Sequence, residues 1–306
     1  MLIEEIILFG AISGGVYALL ALGFTLIYGI SGITNLAHGS FYMLGAYMFH
    51  ILGFRLLGSD TPVSTSFVVL ILAALIVGII GSVAYRLAIH PVLGDEVAVM
   101  VVTVCLALIF QQLVLLIVGL TFRDPTPSVK WPPGSFLTTS TNILGVNLEN
   151  SKILAFAVSL GLFGCLLVFI SKTKIGKAMK AVSQDREIAM LMGINTRRLY
   201  MLTMALSASL AAIAGILITT STTYSALAPM WRYPLALSFS IVILGGLGSI
   251  KGSLIGGFII GYAEQTVANT VPQGGAIVGV VPLIVMVLVL LLKPKGLFGK
   301  RIEMEE

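Results

Sequence analysis

Side chains able to do chemistry are few in this 306-residue sequence, and they are scattered. His38, His50 and His90 share no metal-ligand spacing with one another or with Cys105 and Cys165. No Gly-x-x-x-x-Gly-Lys-Ser/Thr phosphate loop, Gly-x-Ser-x-Gly elbow or His-Glu-x-x-His pair occurs, and the stretch Gly296 to Arg301 lacks the loop's spacing and hydroxyl. Enzymatic chemistry is therefore disfavoured, and neither a cofactor nor a metal is expected. What remains is a handful of polar groups set within apolar runs, where they are costly and so informative. Asn35 and His38 stand at the edge of one run, Gln111 and Gln112 deep in another, and Glu264 near the end of a third, beside Gln265 and Asn269. A lone histidine at a helix start reads more readily as a satisfied structural residue than as a ligand. Glu264 can simply reach water.

Two Gly/Ser-interrupted segments form a second pattern. One runs from Tyr28 to Ser40 and holds Asn35, His38 and Gly39; the other runs from Gly245 to Gly257 and holds Gly246, Gly248 and Ser249. Each joins two apolar runs by a short turn, and each lies toward one end of the chain. Interrupted helices in matching places can line a wet path, because freed backbone groups need polar partners. The plainer reading is close helix packing through small residues. The seven residues Asn35, His38, Gly39, Gly245, Gly246, Gly248 and Ser249 are the candidates for bordering such a path. No chain of carboxylates suited to proton relay lies within the apolar runs.

The elements that must position these groups are membrane helices. Of the residues, 58% are hydrophobic and 10% charged, with a mean hydropathy of +1.06. A soluble domain carries about a quarter charged residues. Thirty-three glycines suit tight helix packing in lipid rather than a soluble core. The apolar runs are long and do not alternate, which excludes a transmembrane barrel. The expected fold is an all-α polytopic bundle of eight or nine spans, over 6–30, 35–54, 66–88, 97–120, 151–171, 199–222, 235–249, 252–268 and 276–293. The last pair but one could instead be re-entrant. Cys105 and Cys165 read as small core residues. The acidic start Met-Leu-Ile-Glu-Glu does not resemble a cleaved signal. With the N-terminus outside and the C-terminus cytoplasmic, the inner segments hold Arg86, the seven basic residues of 172–198, Lys251, Lys293, Lys295, Lys300 and Arg301. The outer ones hold only Arg55, Arg123, Lys130, Lys152 and Arg232, a bias in the expected sense.

Two loops stand out. The external loop 121–150 is proline-rich (Pro125, Pro127, Pro132, Pro133) and carries Trp131, so an ordered but irregular cap is expected. The cytoplasmic loop 172–198 predicts a short capped helix. Ser183 is its candidate N-cap, Asp185 and Glu187 stand in the first turn, and Gly193 takes the C′ position. Thr196 can cap the next span. Ile188, Ala189, Met190, Leu191 and Met192 need burial in the bundle, in lipid headgroups beside the lysines, or in a groove on another protein.

Four stretches together resemble the permease subunits of branched-chain amino acid ABC transporters, of the LivH type. They are Gly15 to Gly23 followed by Asn35 to Gly39; Gly176 to Gly215 with Asp185, Ala189, Gly193, Ile194 and Asn195; Gly245 to Gly252; and Lys293 to Gly299. They occur in order over nearly the whole chain, and Lys251 alone is more basic than the pattern leads one to expect. The resemblance implies one transmembrane permease domain over 1–306, multi-pass in a bacterial or archaeal inner (plasma) membrane. It implies cytoplasmic ABC ATPase subunits docked on Ser183, Asp185, Glu187, Ala189, Met190 and Gly193. A second permease subunit, or a copy of this chain, and an extracytoplasmic substrate-binding protein would complete the assembly with membrane lipid; no nucleic acid is implied. The usual cargo of such permeases is leucine, isoleucine and valine, with urea, short amides or other amino acids in relatives. The competing readings are an ion-coupled carrier or channel, and a membrane scaffold.

Overall fold

A computed structural model describes residues 2–57, 63–122, 136–221, 228–294 and 296–298. Helices dominate, in the order α1 (Leu2–Ser31), α2 (His38–Leu57), α3 (Val63–Ala84), α4 (Glu96–Phe122), α5 (Asn150–Lys172), α6 (Lys174–Gln184), α7 (Arg186–Leu191), α8 (Thr196–Ser221), α9 (Arg232–Gly245), α10 (Ile250–Thr270), α11 (Gly274–Ile277) and α12 (Val281–Leu292). The π-helical turn Tyr85–Ile89 extends α3.

A polytopic all-α membrane protein is what these helices make. Six are long and apolar enough to cross a bilayer, within 3–31, 63–92, 96–120, 150–172, 196–221 and 274–292. The pair Pro229–Gly245 and Ile250–Thr270 passes only jointly, bent by 118° at the break, which brings the number to seven at most. The eight or nine spans expected from sequence exceed this for a physical reason. At 14 residues α9 is about 21 Å long, against roughly 30 Å of hydrocarbon. Polar residues dilute the other two: His38, Ser40 and His50 in α2, and Lys251, Glu264, Gln265 and Asn269 in α10. Helices surrounded by protein need less apolar surface.

Burial sorts centre from rim. In α8, 61% of the most apolar stretch is buried, against 11% in the stretch that contains α12 and 22% in α4. The centre is α1, α2, α8, α9 and α10, and small residues let their backbones touch. A Cβ on Gly261 would lie 2.5 Å from the Gly14 nitrogen, and one on Gly257 would lie 2.6 Å from the Ala18 nitrogen, so α1 and α10 are in backbone contact. Dispersion between such faces replaces the hydrophobic drive that lipid removes. Cys105 and Cys165 are exposed on α4 and α5, which corrects the core placement expected for them.

The described part of the α4–α5 connection is regular. Residues 123–135, with Trp131 and the four prolines, lie outside the described residues, but Ser140–Ile143 and Val146–Glu149 pair as an antiparallel hairpin. Leu144 (φ 53°) and Gly145 (φ 82°) make its two-residue turn, with the positive φ angles a tight hairpin requires. Asn150 ties the hairpin to α5, donating to Thr139 Oγ1 at 2.9 Å and accepting from Thr141 Oγ1 at 2.6 Å.

Candidate functional site: two glycine turns, a capped helical corner and a buried carboxylate

The two glycine segments meet. A Cβ on Gly29 would lie 3.2 Å from the Gly248 Cα, so the end of α1 rests on the α9–α10 turn. Gly246 (φ 97°) and Gly248 (φ 78°) supply the backbone that this turn needs and that L side chains resist. Gly245 and Gly252 face each other with no room for a Cβ on either. Ser249 closes the turn by capping α10, its Oγ accepting from Gly252 N at 3.1 Å.

The C-terminal tail completes this corner. The amides of Leu297 and Phe298 donate to the carbonyls of Leu244 and Gly245 at 2.8 and 3.1 Å. Those carbonyls end α9, where helix acceptors lack partners of their own. Sequence reading found both stretches but not that one caps the other.

The remaining path candidates lie elsewhere, and they are satisfied. Asn35 and His38 are fully buried. Asn35 Oδ1 accepts from Ala37 N at 3.0 Å, closing the turn into α2. His38 Nε2 lies 3.0 Å from the Leu20 carbonyl and Nδ1 lies 3.4 Å from Ser207 Oγ, so this ring pins α1, α2 and α8 together. A Cβ on Gly39 would overlap the Trp231 carbonyl, and the Trp231 indole in turn donates to Gln111 Oε1 at 2.6 Å.

The corner between α6 and α8 differs from expectation in its cap. Ser183 does not start a helix. It belongs to the last turn of α6, its hydroxyl donating to Lys180 O at 2.8 Å. The amphipathic α6 buries Gly176, Met179 and Val182 along one face, and this pattern carries the helix through Ser183. The chain turns at Asp185, whose Oδ1 accepts from Ile188 N at 2.9 Å and caps α7. At the other end Gly193 is left-handed (φ 83°), with Gly193 N to Met190 O at 3.0 Å and Ile194 N to Ala189 O at 3.1 Å. That bond pair is a Schellman motif. Asn195, not Thr196, caps α8, accepting from Arg198 N at 3.0 Å.

Between these caps the apolar residues divide. Ala189 is buried, whereas Leu191 and Met192 are 87% and 79% exposed, and Ile188, Met190 and Glu187 also face outward. Burial within the chain's own bundle is thus removed for the tip. Arg186 lies 5.7 Å over the Tyr200 ring, and Tyr200 meets Tyr85 edge-on at 6.4 Å, linking the corner to α8 and the end of α3. A cavity of about 850 Å³ separates the corner from the glycine turns, lined by Thr25, Gly29, Ser183, Gly248, Ser249 and Lys251 among others. It brings Ser183 together with the turn; Asp185, Glu187, Ala189, Met190 and Gly193 stand outside it.

Glu264 is the residue that sequence reading underrated. It does not reach water: it is 1% exposed. Its Oε2 accepts from the Tyr17 hydroxyl at 2.7 Å and its Oε1 from the Tyr233 hydroxyl at 2.5 Å. Three central helices, α1, α9 and α10, therefore converge on one carboxylate.

Comparison with known proteins covers nearly the whole chain. Residues 6–290 match the family model described as branched-chain amino acid transport system, permease component. The chain is 32% identical over 300 residues to the high-affinity branched-chain amino acid transport system permease protein BraD of Pseudomonas aeruginosa, spanning 95% of this chain and 94% of that one. It is 31% identical over 300 residues to the corresponding LivH protein of Escherichia coli K12, with the same coverage of 95% and 94%. In fold it is similar to a chain of PsaBC from Streptococcus pneumoniae in complex with Fab, with a TM-score of 0.53 and 14% identity, covering 95% of this chain and 93% of that chain.

Proposed function

Since this chain belongs to the family of branched-chain amino acid transport system permease components, we propose that it is the membrane-spanning subunit of an ATP-driven ABC importer that moves branched-chain amino acids across the plasma membrane of a bacterium or archaeon. Its own role is passage and not catalysis; ATP hydrolysis belongs to a partner. The observation that carries the reading beyond family membership is the cytoplasmic corner, a helix capped at both ends with Leu191 and Met192 held outward. Apolar side chains presented so rigidly suit a groove on a cytoplasmic ATPase subunit. The basic residues around them support the orientation with this corner inside and the N-terminus outside. In that frame α2 and the α9–α10 pair lie at membrane depth within the bundle, giving nine helices of alternating direction.

Movement follows from the connections. Closure of an ATPase pair displaces α6 and α7 as one body, since Asp185 joins them with no loop between. The 850 Å³ cavity leaves room for that displacement against the glycine turns. A second permease, this chain's copy or a relative, would complete the pathway, and an extracytoplasmic binding protein would deliver cargo.

One observation favours a second reading, an ion-coupled carrier: the carboxylate of Glu264 is buried in a membrane helix. The two are separated by affinity purification of the tagged chain from native membranes in mild detergent, followed by uptake in proteoliposomes. Co-purifying ATPase subunits and ATP-dependent leucine uptake establish the importer. Isolation of the chain alone, with uptake driven by a cation gradient, establishes the carrier.

A further inference from the structure

The buried carboxylate is not explained by packing. Burying an ionised carboxylate costs several kcal/mol unless a cation or a full set of donors compensates. Glu264 has two neutral phenols and, among the interactions described, no Lys or Arg. The phenols alone would be served by a glutamine or a backbone carbonyl, so hydrogen-bond satisfaction does not require an acid here. What the arrangement lacks is a positive charge.

Of the two partners of the carboxylate, Tyr233 is the more exposed. Glu264 is 1% exposed, but Tyr233, which covers its Oε1, is 37% exposed. Tyr233 is the second residue of α9, at the end remote from the Gly246–Gly248 turn. The distance from Gly245 to Tyr233 along α9 is about 18 Å, so a tilt of about 10° at the turn moves Tyr233 by roughly 3 Å. That displacement breaks the hydrogen bond and uncovers one carboxylate oxygen. On the opposite side α1 and α10 are in backbone contact through Gly14, Ala18, Gly257 and Gly261, whereas the Tyr233 end of α9 rests on α2 at Gly39, so the tilt carries α2 with it.

We propose that Glu264, with Tyr17 and Tyr233, is the intramembrane seat for the α-ammonium group of the transported amino acid. The proposal rests on reading the chain as an amino acid permease. An ammonium group supplies the missing charge and three donors, of which the carboxylate takes one or two. With α9 closed, the Tyr233 hydroxyl occupies the ammonium's place; with α9 tilted, the ammonium takes it.

The test uses the complete complex with its binding protein in proteoliposomes. Glu264→Gln keeps the size and the acceptor oxygen and removes the charge. It is expected to assemble with its partners and to take up leucine roughly tenfold or more slowly, as loss of a charge-assisted hydrogen bond implies. Glu264→Asp is expected to recover part of the rate. Infrared difference spectra with and without leucine should show a carboxylate band change in the wild type that Glu264→Gln lacks. Uptake by Glu264→Gln at the wild-type rate overturns the seat. If that variant does not assemble, Tyr17→Phe decides, because Tyr17 is the donor that stays on the carboxylate while the ammonium is bound: a several-fold loss supports the seat, and wild-type uptake overturns it. A wild-type complex that carries an uncharged solute such as urea and no amino acid overturns both seat and cargo. One that carries a different amino acid overturns only the branched-chain assignment and leaves Glu264→Gln to decide the seat.

Discussion

Gly29 and Gly248 stand backbone to backbone, 219 positions apart in sequence, with 3.2 Å between the place of a Gly29 Cβ and the Gly248 Cα. This contact joins the end of α1 to the turn between α9 and α10. Gly248→Val introduces both a branched side chain and a left-handed strain of about 1–2 kcal/mol. The expected outcome is a chain that still inserts but transports poorly. Membrane fractionation with an uptake assay checks it, and normal uptake shows that the turn does not move during transport. Gly246→Leu, at φ 97°, is expected to behave in the same way.

Asp185 holds the corner between α6 and α7 through its bond to Ile188 N. Asp185→Ala is expected to cost about 1 kcal/mol in the cap and to loosen α7. Gly193→Val acts at the other end, against a positive φ. Both should lower leucine uptake per ATP hydrolysed in the reconstituted complex. Asp185→Asn, which keeps the acceptor, should be nearly neutral. An unchanged uptake-to-hydrolysis ratio in all three would remove this corner from the coupling route.

Leu191 and Met192 contribute little to the isolated chain, since both lie outside its core. The double substitution Leu191→Glu and Met192→Glu should leave its thermal stability within about 0.5 kcal/mol. It should abolish co-purification of the ATPase subunits. If those subunits remain bound while the affinity of α6–α7 for anionic vesicles drops, the apolar tip is a lipid contact instead.

Leu297 and Phe298 donate to carbonyls that nothing else in the α9 terminus occupies. A chain ended after Pro294 leaves both acceptors unpaired in a mostly buried corner. The expected loss is about 1–3 kcal/mol for each acceptor that stays dry. A thermal unfolding curve in detergent reads the change. No shift in midpoint would mean that water or lipid headgroups replace the tail.

Spans at the rim were legible because they carry exposed apolar side chains along their length, as in α3, α4 and α12. The inner helices α2, α9 and α10 were found but are short or polar by that standard, since protein shields them. The corner at 183–193 was found from its cap-forming residues, yet Ser183 and Asp185 are both good caps. Only the buried stripe Gly176, Met179 and Val182 shows that α6 continues past the serine. Glu264 stood out locally only as a carboxylate near the end of an apolar run. Its partners stand 31 and 247 positions away, and nothing in the residues around it announces two phenols. Cys105 and Cys165 were misplaced because a small thiol in an apolar run looks alike on either side of a helix.

The tail that caps α9 also sets an order of events during synthesis. Leu244 and Gly245 leave the ribosome roughly 50 residues before Leu297 and Phe298, an interval of about 3–10 s at ordinary elongation rates. Through that interval the end of α9 lacks two of its final hydrogen bonds, and the neighbouring glycine turn has not yet acquired its third strand of backbone. Insertion machinery therefore meets α9 with this end uncapped until the segment that follows α12 has been made.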